Sequence, residues 1–224
     1  ADGAVAEMLE ETGEAEFRGS GIVMCSWDGD SAATERRILG VARTRFAHQG
    51  FSATTNRQIA HDAGITAAAL YHYVPSKAAL YAAVYNDTLD QVYTEFERAA
   101  AGPTRLIDQY LAVLTCAHDL QRSDPAISGF IVAVARETRR HPDLLELVQP
   151  QRGRHARFFR ELVDAAVARG ELAGDVDPAA LADLLGALLI GLARMSAGAD
   201  DLSRYADALD VLRRFLNGSL LQTS

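Results

Sequence analysis

The chain has 224 residues, of which 49% are hydrophobic and 23% charged, and its formal net charge is −8. This composition is typical of a soluble globular protein, and no stretch approaches the roughly 18 consecutive apolar residues of a membrane-spanning helix. Two cysteines, Cys25 and Cys116, are too few and too far apart for a disulfide framework or a CxxC metal motif. Because the acidic N-terminus does not resemble a signal peptide, we expect a cytoplasmic protein without a metal or cofactor.

The charge is unevenly distributed along the chain. Residues 1–30 contain eight acidic residues and one arginine, whereas residues 31–80 contain two acidic and six basic residues. A basic segment beside an acidic body is expected when one module alone meets phosphate. The negative total therefore does not exclude a nucleic-acid partner.

Residues 1–30 lack sustained hydrophobic periodicity and are rich in Gly, Glu and Ala. We interpret them as a flexible acidic arm, although the apolar patch at residues 21–27 could dock elsewhere. The arm could compete with phosphate for the basic segment or be an inert tail.

Three helices are predicted after residue 31. Apolar residues recur at helical spacing in the first, and Gly50 ends it. Thr55 and Gln58 have the spacing of a capping box, which opens a second helix that Gly64 ends. Thr66 can cap a third helix. Ser76 then caps a long fourth helix that reaches about residue 101.

The rest of the chain is predicted to be helical as well. Five prolines stand where helices can begin, because the first turn does not need their missing N–H. There is no Asn-Gly hairpin and no sustained period-2 alternation that would indicate strands. We therefore predict an all-α protein of about ten helices.

The second and third helices have the layout of a helix-turn-helix, with a tight glycine turn between them. Ala60 and Ala63 allow close helix approach, and Ile59 and Leu70 supply the apolar contact. The third helix is short, so its first residues would read bases.

At this point the sequence resembles the TetR family of bacterial regulators. The resemblance covers roughly residues 34–85 and depends on four segments that match without an insertion: Gly50-Phe51, Thr55-Asn56-Arg57-Gln58-Ile59-Ala60, Ala63-Gly64-Ile65-Thr66 and Leu70-Tyr71-His72-Tyr73-Val74-Pro75-Ser76-Lys77. It implies a three-helix DNA-binding domain at residues 31–80 and a larger helical ligand-binding and dimerisation domain at residues 81–224.

The resemblance also implies which residues meet DNA: Thr55, Asn56, Arg57, Thr66, Ala67, Ala68, Ala69, Tyr71, His72, Tyr73 and Lys77. Arg57 is the best candidate for a direct contact, because its guanidinium can bind guanine O6 and N7 bidentately. Lys77, the only lysine in the chain, matches a lysine that clamps phosphate in the family. The three alanines cannot hydrogen-bond bases, so specificity is expected to depend on Arg57, Thr66, Tyr71 and DNA shape.

Family members bind DNA as two-fold dimers, usually through a four-helix bundle built from the last two long helices. Here these would span about residues 152–169 and 178–195. The second is apolar on nearly all sides, so it must be buried on several faces. The predicted dimer residues are Leu181, Leu185, Leu188 and Leu192. A purely intramolecular core is the alternative.

We expect a pocket for a small hydrophobic or amphipathic effector among the middle helices. Its candidate residues are Tyr110, Leu114, His118, Phe130, Val134, Phe158 and Phe159, with Arg136 as a further polar anchor. Each aromatic at such a position is more often plain core than pocket wall. The effector would release the operator by shifting the long fourth helix, provided that it favours the state that cannot bind DNA.

An enzyme is not expected. Cys116 and His118 are two residues apart and face different sides of a helix, and no serine elbow, P-loop or HExxH motif is present. Two alternatives to effector-controlled repression remain open: control by a protein partner or by the redox state of Cys116, and activation instead of repression.

Overall fold

The structure is a computed structural model, which describes residues 29–196 and 203–220. These ranges contain ten α-helices and no strand. The helices are α1 (Gly29–Ala53), α2 (Asn56–Asp62), α3 (Ala67–Tyr73), α4 (Lys77–Ala101), α5 (Leu106–Ser123), α6 (Pro125–Arg140), α7 (Pro142–Arg152), α8 (Arg154–Ala168), α9 (Pro178–Ser196) and α10 (Ser203–Leu216). The prediction of an all-helical chain is confirmed. The predicted acidic arm lies almost wholly outside the described residues.

The predicted helix starts are confirmed. Thr55 forms a full capping box, in which its hydroxyl accepts from the Gln58 N–H and its own N–H donates to Gln58 Oε1 at 2.9 Å. The Thr66 hydroxyl accepts from the Ala69 N–H at 3.0 Å. The Ser76 hydroxyl accepts from the Ala79 N–H, also at 3.0 Å. Each cap satisfies a backbone donor that the first turn leaves free.

The two predicted glycine stops are also found. Gly50 has φ 77° and ψ 173°, so the regular helix of α1 ends there although a further turn follows. Gly64 has φ 68° in the turn between α2 and α3. Both values lie in the left-handed region that only glycine adopts readily.

The three N-terminal helices, α1 to α3, and the body, α4 to α10, share one hydrophobic core. α1 packs along α6 and α4, and Phe46, Tyr81 and Phe130 meet where these three helices converge. The ring centroids of Phe46 and Tyr81 are 4.9 Å apart, and those of Tyr81 and Phe130 are 5.0 Å apart. No flexible linker separates the two parts, so a shift of α4 or α6 acts directly on α1.

A part-buried polar contact joins the same helices. Arg43 of α1 is 8% exposed and donates to Asp124 Oδ2 at 2.7 Å and to Gln91 Oε1 at 2.8 Å. Asp124 is also the N-cap of α6, where its Oδ1 accepts from the Ala126 N–H at 3.0 Å. One carboxylate therefore holds both the start of α6 and the middle of α1.

Candidate DNA-binding surface and internal cavity

The helix-turn-helix is built on a small apolar contact. Ile59 and Leu70 are fully buried between α2, α3 and the core, and Ala60 and Ala63 are each 1% exposed. Their small side chains bring the two helices close together. This packing leaves the beginnings of α2 and α3 at the surface.

The predicted DNA-contact residues divide by exposure. The exposed ones are Thr55, Arg57, Thr66, Ala68, Tyr71 and His72, and the half-buried ones are Asn56, Ala67, Ala69, Tyr73 and Lys77. Tyr71 is 56% exposed, which is unusual for an aromatic side chain. Arg57 lies in the first turn of α2 and makes no ion pair with another described residue. These two side chains are placed to meet a partner.

Lys77 has a structural role in this conformation. Its Nζ donates to the carbonyl oxygens of Phe51 at 2.8 Å and Thr54 at 2.9 Å, and it lies 4.4 Å from the Phe51 ring centroid. Burial lowers the pKa of Lys77 below its ordinary value. The ammonium group thus ties α4 to the segment between α1 and α2. In this conformation Lys77 therefore positions the helix-turn-helix, and its ammonium group is occupied by backbone carbonyls.

The basic charge of the segment is smaller at the surface than the sequence indicates. Arg43 is buried against α4 and α6, and Arg45 donates to Asp62 Oδ2 at 2.6 Å. The His61 and Arg45 hydrogen bonds keep the pKa of Asp62 below its usual value, so this carboxylate stays charged. Arg36, Arg37 and Arg57 are the exposed cations among the six counted in the sequence.

An apolar cavity of about 100 Å³ lies in the body. Its walls come from α4, α5, α6, α8, α9 and α10. The lining residues are Leu89, Val92, Tyr93, Phe96, Ala117, Leu120, Gln121, Ile127, Ser128, Ile131, Val132, His155, Leu189, Ile190, Ala193 and Tyr205. None of these described residues is Asp, Glu, Lys or Arg. A mostly apolar enclosure with a few polar groups is the usual form of a small-molecule site.

Two hydrogen bonds made by polar side chains brace the cavity. Tyr93 Oη and His155 Nδ1 are 2.8 Å apart, and burial lowers the pKa of His155. The imidazole is therefore neutral around pH 7. The Tyr205 hydroxyl donates to the Leu114 carbonyl at 3.2 Å, and burial raises the pKa of Tyr205 to about 12. Both phenols are neutral hydrogen-bonding groups.

The seven predicted effector residues do not line this cavity. Phe130 packs in the aromatic cluster beside α1, and Val134 is buried on the same helix. Phe158 and Phe159 pack against Tyr93 and Tyr110 respectively. His118 stacks on Tyr205, and the Leu114 side chain is fully buried. Arg136 is exposed and donates to Glu137 Oε1 at 3.2 Å. The prediction chose residues that fill the core around the cavity.

Tyr110 lines a second, more open cavity of about 410 Å³, and its hydroxyl donates to the Leu185 carbonyl at 2.9 Å. One sequence signal for the wall of the 100 Å³ cavity was Gln121. It is an amide that follows Leu114 and Ala117 at helical spacing on the buried side of α5. A polar residue at a core position is more informative than another aromatic.

The predicted dimer residues of α9 differ in how far the single chain buries them. Leu185 and Leu192 are 6% and 9% exposed within the single chain, so their side chains are used by its own core. Leu181 and Leu188 are half-buried. The large apolar side chains that α9 leaves exposed are Leu184, at 55%, and Ile190, at 47%. Within the single chain, Leu185 and Leu192 belong to the core, and the contact of α9 with a second copy stays a prediction.

Close packing of α8 on α9 depends on Gly186. A Cβ at this position would lie 2.7 Å from His155 Nε2 and 3.2 Å from Phe159 Cδ2. We expect Gly186→Ala to lower the free energy of unfolding by about 1–3 kcal/mol, because two packed rings must move. Urea denaturation measures this change.

Gly40→Ala is the matched control for that substitution. Gly40 lies within α1, and an added Cβ would meet no described atom within 4 Å. Alanine there should raise the free energy of unfolding by up to about 1 kcal/mol through helix propensity. Equal stability of the two variants would contradict the packing argument.

The fold and the two sites define a helix-turn-helix DNA-binding protein whose helical body contains an internal cavity. Residues 38–84 match the sequence model of "Bacterial regulatory proteins, tetR family". Residues 107–210 match that of "Tetracyclin repressor-like, C-terminal domain". The chain belongs to the TetR family, and it is a DNA-binding transcriptional regulator and not an enzyme.

The chain is similar to known transcriptional regulators over most of its length. The HTH-type transcriptional regulator UidR of Escherichia coli (strain K12) is 24% identical over 201 residues, which cover 88% of this chain and 98% of UidR. The HTH-type transcriptional repressor KstR2 of Mycolicibacterium smegmatis is 27% identical over 154 residues, or 67% of this chain and 74% of KstR2. The solved structure of Salmonella enterica GusR is 29% identical, with a TM-score of 0.67 over 84% of this chain and 95% of GusR.

No helix in the described ranges is both long enough and apolar enough to cross a bilayer.

Proposed function

We propose that this regulator is a homodimeric repressor, which binds a palindromic operator and is released by a small, mainly hydrophobic effector. The observation that carries the proposal is the position of the cavity. Its walls include α4 and α6, and these are the two helices of the body that pack on α1 of the DNA-binding segment. A ligand in the cavity thus touches the elements that hold the helix-turn-helix.

Operator contact is assigned to the exposed residues of α2 and α3. Arg57 and Tyr71 supply the larger side chains, and Thr55 and Thr66 fix the helix starts from which they project. The alanines at the start of α3 allow close approach and methyl contact, but they donate no hydrogen bond to a base. Specificity therefore depends mainly on Arg57 and on DNA shape.

Dimerisation is assigned to the exposed side of α9 and the adjoining surface of α8. Leu184, Leu188 and Gly191 recur at positions i, i+4 and i+7 of α9, and Val167 of α8 is 44% exposed. Glycine in such a row permits close helix approach. Two copies are needed because two recognition helices must enter major grooves about 34–36 Å apart.

The signal is proposed to pass through the start of α6. Ile127, Ser128, Ile131 and Val132 of α6 line the cavity, and Asp124, which caps this helix, is the ion-pair partner of Arg43 on α1. A ligand that displaces α6 changes the position of Asp124 and hence of α1. Release requires that the ligand favour this displaced state over the DNA-bound one.

Redox control at Cys116 is not favoured. Burial raises the pKa of this thiol, and the charges of Glu95 and Asp119 raise it further. A redox sensor needs a thiolate at neutral pH, which requires a lowered pKa. The KstR2 relative, a repressor by name, favours repression over activation.

The test is a binding-site selection on random duplex DNA with sedimentation of the protein. We expect a palindrome with half-sites about one helical turn apart and a dimeric protein. Leu184→Asp should give a monomer that binds the selected site at least about tenfold more weakly, because it buries a charge at the dimer contact. Val211→Asp on α10, also at an apolar residue about half exposed (49%), is the control and should remain dimeric.

Recovery of no palindrome would refute operator binding by a two-fold dimer. If Leu184→Asp stays dimeric, the proposed α9 contact is wrong.

A further inference from the structure

Gln121 is an unpaired amide in the cavity wall. It lies in the last turn of α5 and is 5% exposed, and no described atom forms a hydrogen bond with its Oε1. Buried side-chain oxygens in folded proteins nearly always have a partner. Because the unpaired Gln121 Oε1 lies in the wall of a cavity, a polar group of a bound ligand is a suitable partner for it.

The other polar groups of the wall are mostly used within the protein. The Tyr93 hydroxyl is paired with His155 Nδ1, and the Tyr205 hydroxyl is paired with a backbone carbonyl. His155 Nε2 also lacks a hydrogen-bond partner among the described atoms, but it faces the backbone of Gly186 on α9, where there is no room for even a methyl group. Ser128 of α6 also lines the cavity, but it is only half-buried. Gln121, at 5% exposed, is therefore the polar side chain best placed to distinguish one ligand from another.

Charge and size restrict the ligand further. The described wall contains no Asp, Glu, Lys or Arg, and burial keeps His155 neutral. An ionised ligand would lose its hydration without gaining a counter-charge. The free space of about 100 Å³ is below the usual range of drug-sized sites and suits a molecule of about one ring.

We propose that the cavity selects an uncharged, mainly apolar ligand of about one ring, whose hydroxyl or amide group hydrogen-bonds to Gln121. A glutamine amide offers both an acceptor and a donor, so either group can pair with it. The inference rests on the proposed function, in that this ligand would be the effector.

The position of Gln121 connects recognition with response. It stands three residues before Asp124, which caps α6 and pairs with Arg43 of α1. A hydrogen bond at Gln121 is thus made at the corner between α5 and α6, next to the contact that holds the DNA-binding segment.

The test uses three probes of similar size with the full-length protein: phenol, toluene and benzoate. Binding is followed by NMR through the ¹³C-labelled methyl groups of Ile127, Ile131 and Leu189 in the cavity wall. We expect phenol and toluene to bind with similar affinity and benzoate at least about tenfold more weakly.

Gln121→Met keeps the length of the side chain and removes its hydrogen bonds. It should reduce the ratio of phenol to toluene affinity at least about tenfold, since a buried hydroxyl then has no partner. Gln149→Met, at an exposed glutamine of α7, should leave the ratio unchanged.

An unchanged ratio in Gln121→Met would overturn the proposal. So would benzoate binding as tightly as phenol, or no methyl shift with any probe. If Gln121→Met does not fold, the wild-type protein alone still tests the proposal. Toluene binding at least tenfold tighter than phenol would show that no polar group of the wall pairs with the phenol hydroxyl, and would overturn the proposal.

A gel-shift assay with the selected operator separates this inference from the function. Phenol that binds with the expected Gln121 dependence but leaves the operator complex intact supports the ligand assignment and contradicts effector release. A selected palindrome together with no probe binding supports the DNA-binding function and contradicts the ligand assignment.

Discussion

Arg43→Met is expected to lower the free energy of unfolding by about 2–4 kcal/mol. Arg43 pairs with Asp124 at 2.7 Å and lies 3.9 Å from Asp87, and its side chain is only 10% exposed. Removing one partner of a buried ion pair costs about 3–5 kcal/mol. The carboxylates of Asp124 and Asp87 are 35% and 29% exposed, so water replaces part of the lost interaction and reduces the cost.

Arg122→Met is the matched control. Arg122 lies 3.9 Å from Asp119 on α5, and both side chains are more than 60% exposed. A surface pair of this kind contributes little, so this variant should stay within about 0.5 kcal/mol of wild type. Urea denaturation of the two variants compares a buried pair with an exposed one. Equal losses would show that Arg43 does not stabilise the contact between α1 and α6.

The stability loss in Arg43→Met should also depend on pH. Burial raises the pKa of Asp87, and the positive charge of Arg43 partly opposes that shift. Without Arg43 the folded-state pKa rises further above the unfolded value, so the folded protein binds the proton more tightly. Stability relative to wild type should then fall as pH rises from about 4 toward neutrality. A deficit that is constant across this range would exclude Asp87 as its source.

Arg57→Ala is expected to weaken operator binding about 5- to 150-fold, if the guanidinium reads a guanine as proposed. Arg57 is exposed in the first turn of α2 and has no ion-pair partner among the described residues, so its loss leaves folding intact. The affinity is measured by gel shift on the selected site and on sites changed at each base. A base contact predicts relaxed discrimination at one position.

Arg98→Ala is the control for lost positive charge. Arg98 is also exposed, but it lies 21 residues after Lys77 along α4 and pairs with Glu95, which places it about 30 Å from the start of that helix. The Arg98→Ala variant should bind the operator with the same affinity as the wild-type protein. Arg57→Ala could instead lose affinity equally for all the DNA sites. If the slope of log affinity against log salt concentration also fell by about one, Arg57 would be assigned to a phosphate contact. Affinity within twofold of wild type would remove it from the interface.

Lys77 illustrates why Arg57 is the better probe. The resemblance places Lys77 at a phosphate-binding position, but its Nζ donates to the Phe51 and Thr54 carbonyls. Weaker operator binding by Lys77→Ala could arise from a displaced helix-turn-helix without any loss of a phosphate contact. Sequence reasoning identified an important residue, whereas its hydrogen-bond partners, 23 and 26 residues away, depend on the fold.

The features that the sequence determined by itself are local or periodic. The caps at Thr55, Thr66 and Ser76 were predictable because each depends on residues three positions apart. The helical class was predictable from spacing, proline positions and the lack of alternation. The family followed from a short segment whose glycine turn and flanking residues fit without an insertion.

Only the tertiary structure decided which face of each helix meets which neighbour. The aromatics predicted for the effector pocket do not line the 100 Å³ cavity, whose wall includes Gln121 and His155, 34 residues apart on different helices. Likewise, Leu185 and Leu192 of α9 pack inward, whereas Leu184 remains exposed. A helix that is apolar on several sides carries no local signal of which side faces a cavity, its own core or a second chain. That choice arises from how distant helices pack. The sequence predicted a helix start at Pro125, but only the packing places Asp124 between the cavity and Arg43.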